Sequence, residues 1–251
     1  MHLTIYGDFN CPCCYLASQR ADALSAAGRA EVEWRAVEHD RRLGLAGTPA
    51  SLDPGRWQHE LAAAAGLAGP DEQVPGTVPA LVTNTGAAVA AYAEAVTDGV
   101  ADELRRSVFA EIWVRQRHLS GPQEVRRLVC ALMYPAGAPG SRREHLAAPD
   151  LPARVHHRAA PGLLPRLSGC TISPDGGPLT TGGHERIRRW REEWLAGSGG
   201  AVPALSVPGQ GMLTGAAALD HLAGLTIQAP RARVRAAQAP AGAGVRAAIS
   251  R

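Results

Sequence analysis

Lysine is absent: all 26 positive charges among the 251 residues are arginine, a bias that accompanies the abundance of Ala and Gly and carries no function of its own. Acidic residues number 23, leaving a net charge of +3, and along the body of the chain the bases alternate with acids instead of gathering. Nothing in that balance indicates a nucleic-acid partner. Aromatic residues make up only 4 %, so a core must be built largely from Ala, Leu and Val. No apolar run approaches the ~18 residues of a membrane span. The N-terminus goes at once into a strand-like segment, without the basic stretch, apolar region and cleavage site of a secretory signal. Taken as a full-length product, the chain is expected to be a cytoplasmic protein, where cysteines stay mostly reduced and a C-x-x-C pair is more often catalytic than structural. At this length it forms one large domain or a domain with an insertion, and it needs no disulfides for stability.

Against those absences stands one dense feature, Cys11-Pro12-Cys13-Cys14, directly behind the apolar run His2-Leu3-Thr4-Ile5-Tyr6. It places a C-x-x-C pair where a first strand ends and a helix begins. The stretch from Tyr15 to Leu24 is rich in helix formers, with Leu16, Arg20 and Leu24 at four-residue spacing. Pro12 falls at the first helical position, where its missing N–H costs nothing. Cys11 then faces the unpaired N–H groups and partial positive charge of the helix start, which favour its thiolate. Cys14, one turn further in, is placed to attack a mixed disulfide formed on Cys11. The competing readings are a structural disulfide, half of a zinc site, and inert buried thiols. A zinc ribbon needs a second ligand pair, and Cys130 and Cys170 stand isolated. The spacing therefore points first to thiol–disulfide exchange, with no metal.

The segment from Glu31 to Val37 alternates polar and apolar residues as a second strand. Strand, helix, strand implies a right-handed crossover to a parallel neighbour, so Glu38, His39 and Asp40 should emerge near Cys11. From 54 to about 134 the patterns are helical: Arg56 to Leu67, Gly86 to Thr97, Ala101 to Arg117, and a helix starting at Ser120. Gln73 to Ala80 reads as an extended loop. Residues 135 to 170 are Pro-, Gly- and Arg-rich with little periodicity and read as a linker. Pro174-Asp175-Gly176-Gly177 is a turn between short extended segments, and His184 to Ala196 a helix stopped by Gly197-Ser198-Gly199-Gly200. Ala201 to Val207 then reads as a strand, followed by the turn Pro208-Gly209-Gln210-Gly211, the strand Met212-Leu213-Thr214 and a helix from Ala216 to Leu222. The tail from Ala229 reads as disordered.

This order of elements, with Asp8-Phe9-Asn10-Cys11-Pro12-Cys13-Cys14-Tyr15, the stretch from Thr83-Asn84-Thr85 to Leu119-Ser120, and Gly200-Ala201-Val202-Pro203-Ala204-Leu205, resembles the DsbA-like thioredoxin-fold family. Within it the chain is most similar to the cytoplasmic branch of FrnE-type oxidoreductases and 2-hydroxychromene-2-carboxylate isomerases. The resemblance implies an α/β thioredoxin fold with a central mixed sheet and an inserted helical domain. Residues 1–50 and 186–225 would form the two parts of the thioredoxin-fold domain, 51–185 the insertion with its Pro/Gly/Arg-rich segment, and 226–251 a basic tail. It implies a thiol–disulfide oxidoreductase with Cys11 as nucleophile and Cys14 as resolving thiol. A cis Pro203 would pack beside the cysteines, with Val202 offering its backbone, and Pro12 and Cys13 would complete the substrate-binding surface. His39 is the candidate for lowering the Cys11 pKa, against the plainer reading of a surface histidine among acids.

Cys13 departs from the family pattern, which has an aromatic or polar residue there. It could pair with Cys14, act as an alternative resolving thiol, bind a soft metal such as Cu(I), or be a small residue without a role. The isomerase branch has serine at the position of Cys11, which argues against a pure isomerase here. No tightly bound cofactor is implied, with glutathione or mycothiol as candidate co-substrate. The expected partner is a disulfide-bearing protein or small thiol, and a homodimer is a further expectation. Two other functions stay open: a low-molecular-thiol-dependent isomerase, transferase or reductase with a small-molecule pocket between the helices and Cys11, and a non-catalytic thiol or metal module. His156-His157 carries no site, because adjacent side chains point apart, and Trp34, Trp57, Trp113, Trp190 and Trp194 are read as packing residues.

Overall fold

The computed structural model describes residues 1–133 and 172–227. The linker expected over 135–170, with Cys170 and His156-His157, and the tail from Ala229 lie outside the described residues. The chain opens with β1 (His2–Gly7), in which every residue after His2 is buried, as a strand covered on both faces requires. Helix α1 (Pro12–Ala26) follows, then β2 (Glu31–Ala36), paired parallel to β1 in the register His2–Glu31 to Gly7–Ala36. After the helices comes β5 (Ala204–Val207), antiparallel to the other side of β1 with Tyr6 opposite Ala204, and then β6 (Gly211–Thr214). The sheet order is β2-β1-β5-β6, the mixed sheet of a thioredoxin fold. The strand expected from Ala201 begins only at Ala204, because Pro203 has no N–H to give to the ladder.

The remaining elements lie between β2 and β5, apart from α7 (Gly215–Ile227) at the end of the described chain. They are β3 (Thr48–Pro49), α2 (Pro54–Leu67), β4 (Leu81–Val82), α3 (Gly86–Asp98), α4 (Ala101–Phe109), α5 (Pro122–Met133) and α6 (Thr181–Ser198). Helix α1 packs on α7, and α3 on α6. The pairing of β3 with β4 was invisible in the sequence, being two residues long on each side. The single helix expected from Ala101 to Arg117 instead ends at Phe109 and widens into a π-helical turn over Ala110–Val114. That wider turn carries Trp113 inward, where its Nε1 donates to the Phe9 carbonyl at 2.9 Å. All five tryptophans are buried, Trp57 in a small second cluster with Leu43 and Val82 and the others in the main core.

Local chemistry explains the helix ends. Asp53 caps α2 by accepting from Arg56 N, and Thr180 Oγ1 caps α6 by accepting from Gly183 N. Gly199, in the left-handed region at φ 63°, terminates α6 within the expected glycine cluster. Buried Glu94 of α3 accepts from Leu179 N, Thr180 N and the Thr180 hydroxyl, tying the entry of α6 to α3.

Arg20, which the spacing placed on one face of α1, is buried and holds that helix in position. Its guanidinium donates to the carbonyls of Leu219 (2.7 Å) and Leu67 (2.6 Å) and to both Glu72 oxygens at 2.7 Å. These bonds fasten the cysteine-bearing helix to α7, α2 and the loop after α2. Gly7, the last residue of β1, lets Trp34 of β2 lie against the backbone: a Cβ there would stand 2.3 Å from Trp34 Cζ2.

Candidate active site

Cys11 is the N-cap of α1, with extended backbone (φ −103°, ψ 120°), and Pro12 occupies N1 as expected. Its carbonyl accepts from the N–H of Cys14 (3.0 Å) and of Tyr15 (3.1 Å), the first bonds of the helix. All three thiols of the motif are free. Cys11 is 6 % exposed, Cys14 is fully buried, and Cys13 has intermediate exposure. The thiols form a short chain: Cys13 donates to Cys11, and Cys11 donates to Cys14. Cys13 is thus in contact with the pair, not a bystander at the helix start.

The expectation of a thiolate-favouring Cys11 is corrected. The hydrogen bond it receives from Cys13 pulls its pKa down, but the one it gives to Cys14, together with burial, raises it well above the ordinary thiol value. The Cys13 pKa is raised by its bond to Cys11 and by burial. For Cys14, burial outweighs the stabilising bonds from Cys11 and from the Asp8 backbone N–H, so its pKa also lies high. The helix start remains, and the Arg20 charge reaches Cys13, but burial and the bonds among the three thiols outweigh both.

His39 does not supply a cation to Cys11. It emerges at the same sheet edge as expected, yet its Nδ1 and its backbone N–H both meet Asp8 Oδ2 at 2.7 Å. Nor is it a surface histidine, since its side chain is only 18 % exposed. Burial pulls its pKa down, and the hydrogen bond and charge of Asp8 more than compensate, raising it overall. Arg56 of α2 approaches Nε2 at 3.5 Å from the far side.

Asp8 is the residue that sequence reasoning quoted but gave no role. Fully buried, its carboxylate also accepts from the Thr85 hydroxyl (2.7 Å) and Asn10 N (3.3 Å), while its carbonyl accepts from Cys11 N at 3.3 Å. It touches both ends of the arrangement, His39 through the carboxylate and Cys14 through the backbone. The signal was an acid directly behind a strand-like run leading into the cysteine motif, where only a satisfied carboxylate is tolerable once buried. The polar residues Thr83, Asn84, Thr85 and Ser120 serve the same framework. Asn10 Nδ2 donates to Thr83 O (3.1 Å), and Asn84 N to Ser120 Oγ (2.6 Å).

The Val202–Pro203 peptide is cis. Pro203 follows the last β1–β5 pair, Tyr6–Ala204, so the dipeptide lies at the end of β1 from which the chain runs to Cys11. Pro203 is buried and its carbonyl accepts from Gly215 N at 2.8 Å, whereas Val202 stays half-buried. Cys11, Cys14, Cys13, Pro12, Val202 and Pro203 are therefore gathered at one sheet edge, with His39 one residue removed behind Asp8. Among the described residues, no group of three or more His, Cys, Asp or Glu side chains is arranged to hold a metal ion, and no helix is long and apolar enough to cross a membrane. A cavity of about 520 Å³ opens between the end of β2, α3, α5 and α6, and no cysteine lines it.

Solved structures with the same architecture include a probable DsbA oxidoreductase from Streptomyces coelicolor, 15 % identical, with a TM-score of 0.55 over 98 % of this chain and 100 % of that one. A 2-hydroxychromene-2-carboxylate isomerase is 18 % identical, with a TM-score of 0.54 over 89 % and 93 %. The cytosolic disulfide reductase DsbM from Pseudomonas aeruginosa is 16 % identical, with a TM-score of 0.52 over 90 % and 96 %. At such identities these likenesses speak to the fold. No curated protein matches the chain. The profile of the DSBA-like thioredoxin domain matches residues 2–133, from β1 through the cysteine motif to the end of α5, and the chain belongs to that family.

Proposed function

We propose that the protein is a thiol–disulfide oxidoreductase in which Cys11 and Cys14 cycle between dithiol and disulfide. The observation that carries this reading is the contact between the Cys11 thiol, at the N-cap of α1, and the Cys14 thiol one turn further in. In the reductive direction, the Cys11 thiolate attacks a substrate disulfide, forming a mixed disulfide and releasing one substrate thiolate. Cys14 then attacks the Cys11 sulfur, forming the Cys11–Cys14 bond and expelling the second substrate thiolate; two electrons pass from the pair to the substrate. Val202 and Pro203, with Pro12 and Cys13, form the surface against which an extended substrate lies. The exchange domain is built from residues 1–50 and 186–225, around the insertion at 51–185.

The environment of the thiols favours the reductive direction. A strong oxidant of this class owes its potential to a stabilised thiolate in the reduced form. Here burial and mutual hydrogen bonding disfavour the thiolate. Glutathione or mycothiol is the co-substrate that restores the dithiol, and the partner is a disulfide-bearing protein or small thiol. The Pseudomonas neighbour is described as cytosolic and has been solved with GSH, which supports a cytoplasmic, low-molecular-thiol setting for this chain. A homodimer is the assembly we propose.

Insulin reduction and dithiol-peptide oxidation, run on the wild type and on Cys11→Ser and Cys14→Ser, test the reading. Wild type should turn over, Cys11→Ser should be inactive, and Cys14→Ser should stall as a mixed disulfide. Absence of turnover by the wild type in both directions would overturn it.

A further inference from the structure

The cavity beside the sheet edge is lined by no cysteine and takes no part in the exchange chemistry proposed above. It holds about 520 Å³, within the ~300–1,000 Å³ range of small-molecule sites. Its apolar wall is aliphatic: Val37 just after β2, Val89 of α3 and Ile187 of α6 line it, and Leu45, which is 81 % exposed, also faces it. No aromatic ring is among the lining residues, so nothing there would stack on a flat ligand.

The cavity carries two guanidinium groups and two carboxylates, those of Glu38 and Asp175. Glu38, Arg41 and Arg191 all line it. Arg41 pairs with Glu38 at 3.3 Å. Arg191, half-buried on α6, has no hydrogen bond or ion pair among the described residues, and Glu38 is the acid whose charge it feels. Asp175 at the rim is occupied by the Ser173 hydroxyl. Among the described residues, neither carboxylate is within ion-pair distance of the Arg191 guanidinium, which is left with its donors free. Burial and the nearby charge of Asp8 push the Glu38 pKa up, against the lowering charges of Arg41 and Arg191. The first turn of α3 opens on the same space at Gly86 and Ala87, adding the partial positive charge of a helix start. A planar guanidinium without a partner, set above an aliphatic hollow, matches a carboxylate carried on an apolar chain, because the fork of N–H donors fits the two carboxylate oxygens.

We propose that this cavity binds an aliphatic monocarboxylate, with the chain against Val37, Val89 and Ile187 and the carboxylate on Arg191. The site is independent of the cysteine pair and does not rest on the exchange reaction.

Calorimetric titration with decanoate tests it, with decanol as the uncharged probe, on reduced protein whose folding is checked by circular dichroism. The wild type should bind decanoate saturably at one site. Arg191→Gln, which removes a charge-assisted hydrogen bond, should bind it about 10- to 100-fold more weakly. Decanol should not distinguish the two proteins. Ile187→Trp, which fills the hollow, should lose both probes, and Cys14→Ser should bind decanoate as the wild type does. No saturable decanoate binding by the wild type, or equal binding by Arg191→Gln or by a folded Ile187→Trp, overturns the proposal whatever the outcome of the redox assays.

Discussion

Replacing Arg20 by alanine should loosen the helix that carries the cysteines. The guanidinium is 3 % exposed and satisfies two backbone carbonyls, of Leu67 and Leu219, as well as the Glu72 carboxylate. Alanine strands those acceptors and leaves an uncompensated, largely covered charge, since the Glu72 side chain is 22 % exposed. Breaking a buried pair in this way costs about 3–5 kcal/mol. With a urea m-value of roughly 2 kcal/mol/M, the unfolding midpoint should fall by about 1.5–2.5 M. Glu72→Gln keeps both carbonyl bonds and a neutral acceptor, so its loss should be smaller, about 1–2 kcal/mol. The pH dependence has a defined sign. Hydrogen bonds from Arg20 lower the Glu72 pKa, so the stability from this pair is full above the ordinary unfolded value near ~4.3 and is lost as pH falls toward the folded one. The gap between wild type and Arg20→Ala should therefore narrow below about pH 4. A loss under about 1 kcal/mol, or a gap that stays constant from neutral pH to about pH 3, refutes this account of how α1 is held.

Other perturbations probe the surroundings of the thiols. The His39 pKa is raised by Asp8 against the pull of burial, so the stability it lends is full below its unfolded pKa of ~6.5 and declines as pH rises through the folded value; in denaturant titrations the deficit of His39→Gln should be largest in mild acid and shrink toward alkaline pH, and a deficit that grows with pH contradicts the ion pair. Gly7→Ala places a Cβ against the Trp34 ring and should destabilise by roughly 1–3 kcal/mol, a fall in Tm of about 2–12 °C by calorimetry. In the native reduced protein, iodoacetamide should label Cys13 before Cys11 and leave Cys14 until last, in the order of their exposure, and the rate should still be climbing above about pH 9 because the thiol pKa values are raised. Rapid labelling of Cys11 in mild acid contradicts the thiol chain.

The parts of the fold legible in the sequence were those carried by local signals. Pro12 at N1, the alternation of Glu31 to Val37 and the glycine stop at Gly199 each express a backbone rule within a few residues. So did the order of strands and helices around the cysteine motif. What the sequence concealed depends on partners far along the chain. Arg20, at helical spacing with Leu16 and Leu24, had no visible partner until Leu67, Glu72 and Leu219 surrounded it, and Asp8 had no visible role until β2 delivered His39 and the start of α3 delivered Thr85. The π-helical turn after Phe109 is set by where Trp113 must reach. For Cys11, the helix start was read correctly and the electrostatics were not, because burial and the neighbouring thiols outweigh a partial charge.

A redox titration against glutathione, with the disulfide located by peptide mapping at each potential, tests the central claim most directly. The account predicts a single two-electron transition in which Cys11 becomes linked to Cys14, with a potential nearer the thioredoxin value of about −270 mV than the about −120 mV of a strong oxidant. A pair that stays unlinked under oxidising glutathione, or a transition near about −120 mV, contradicts it.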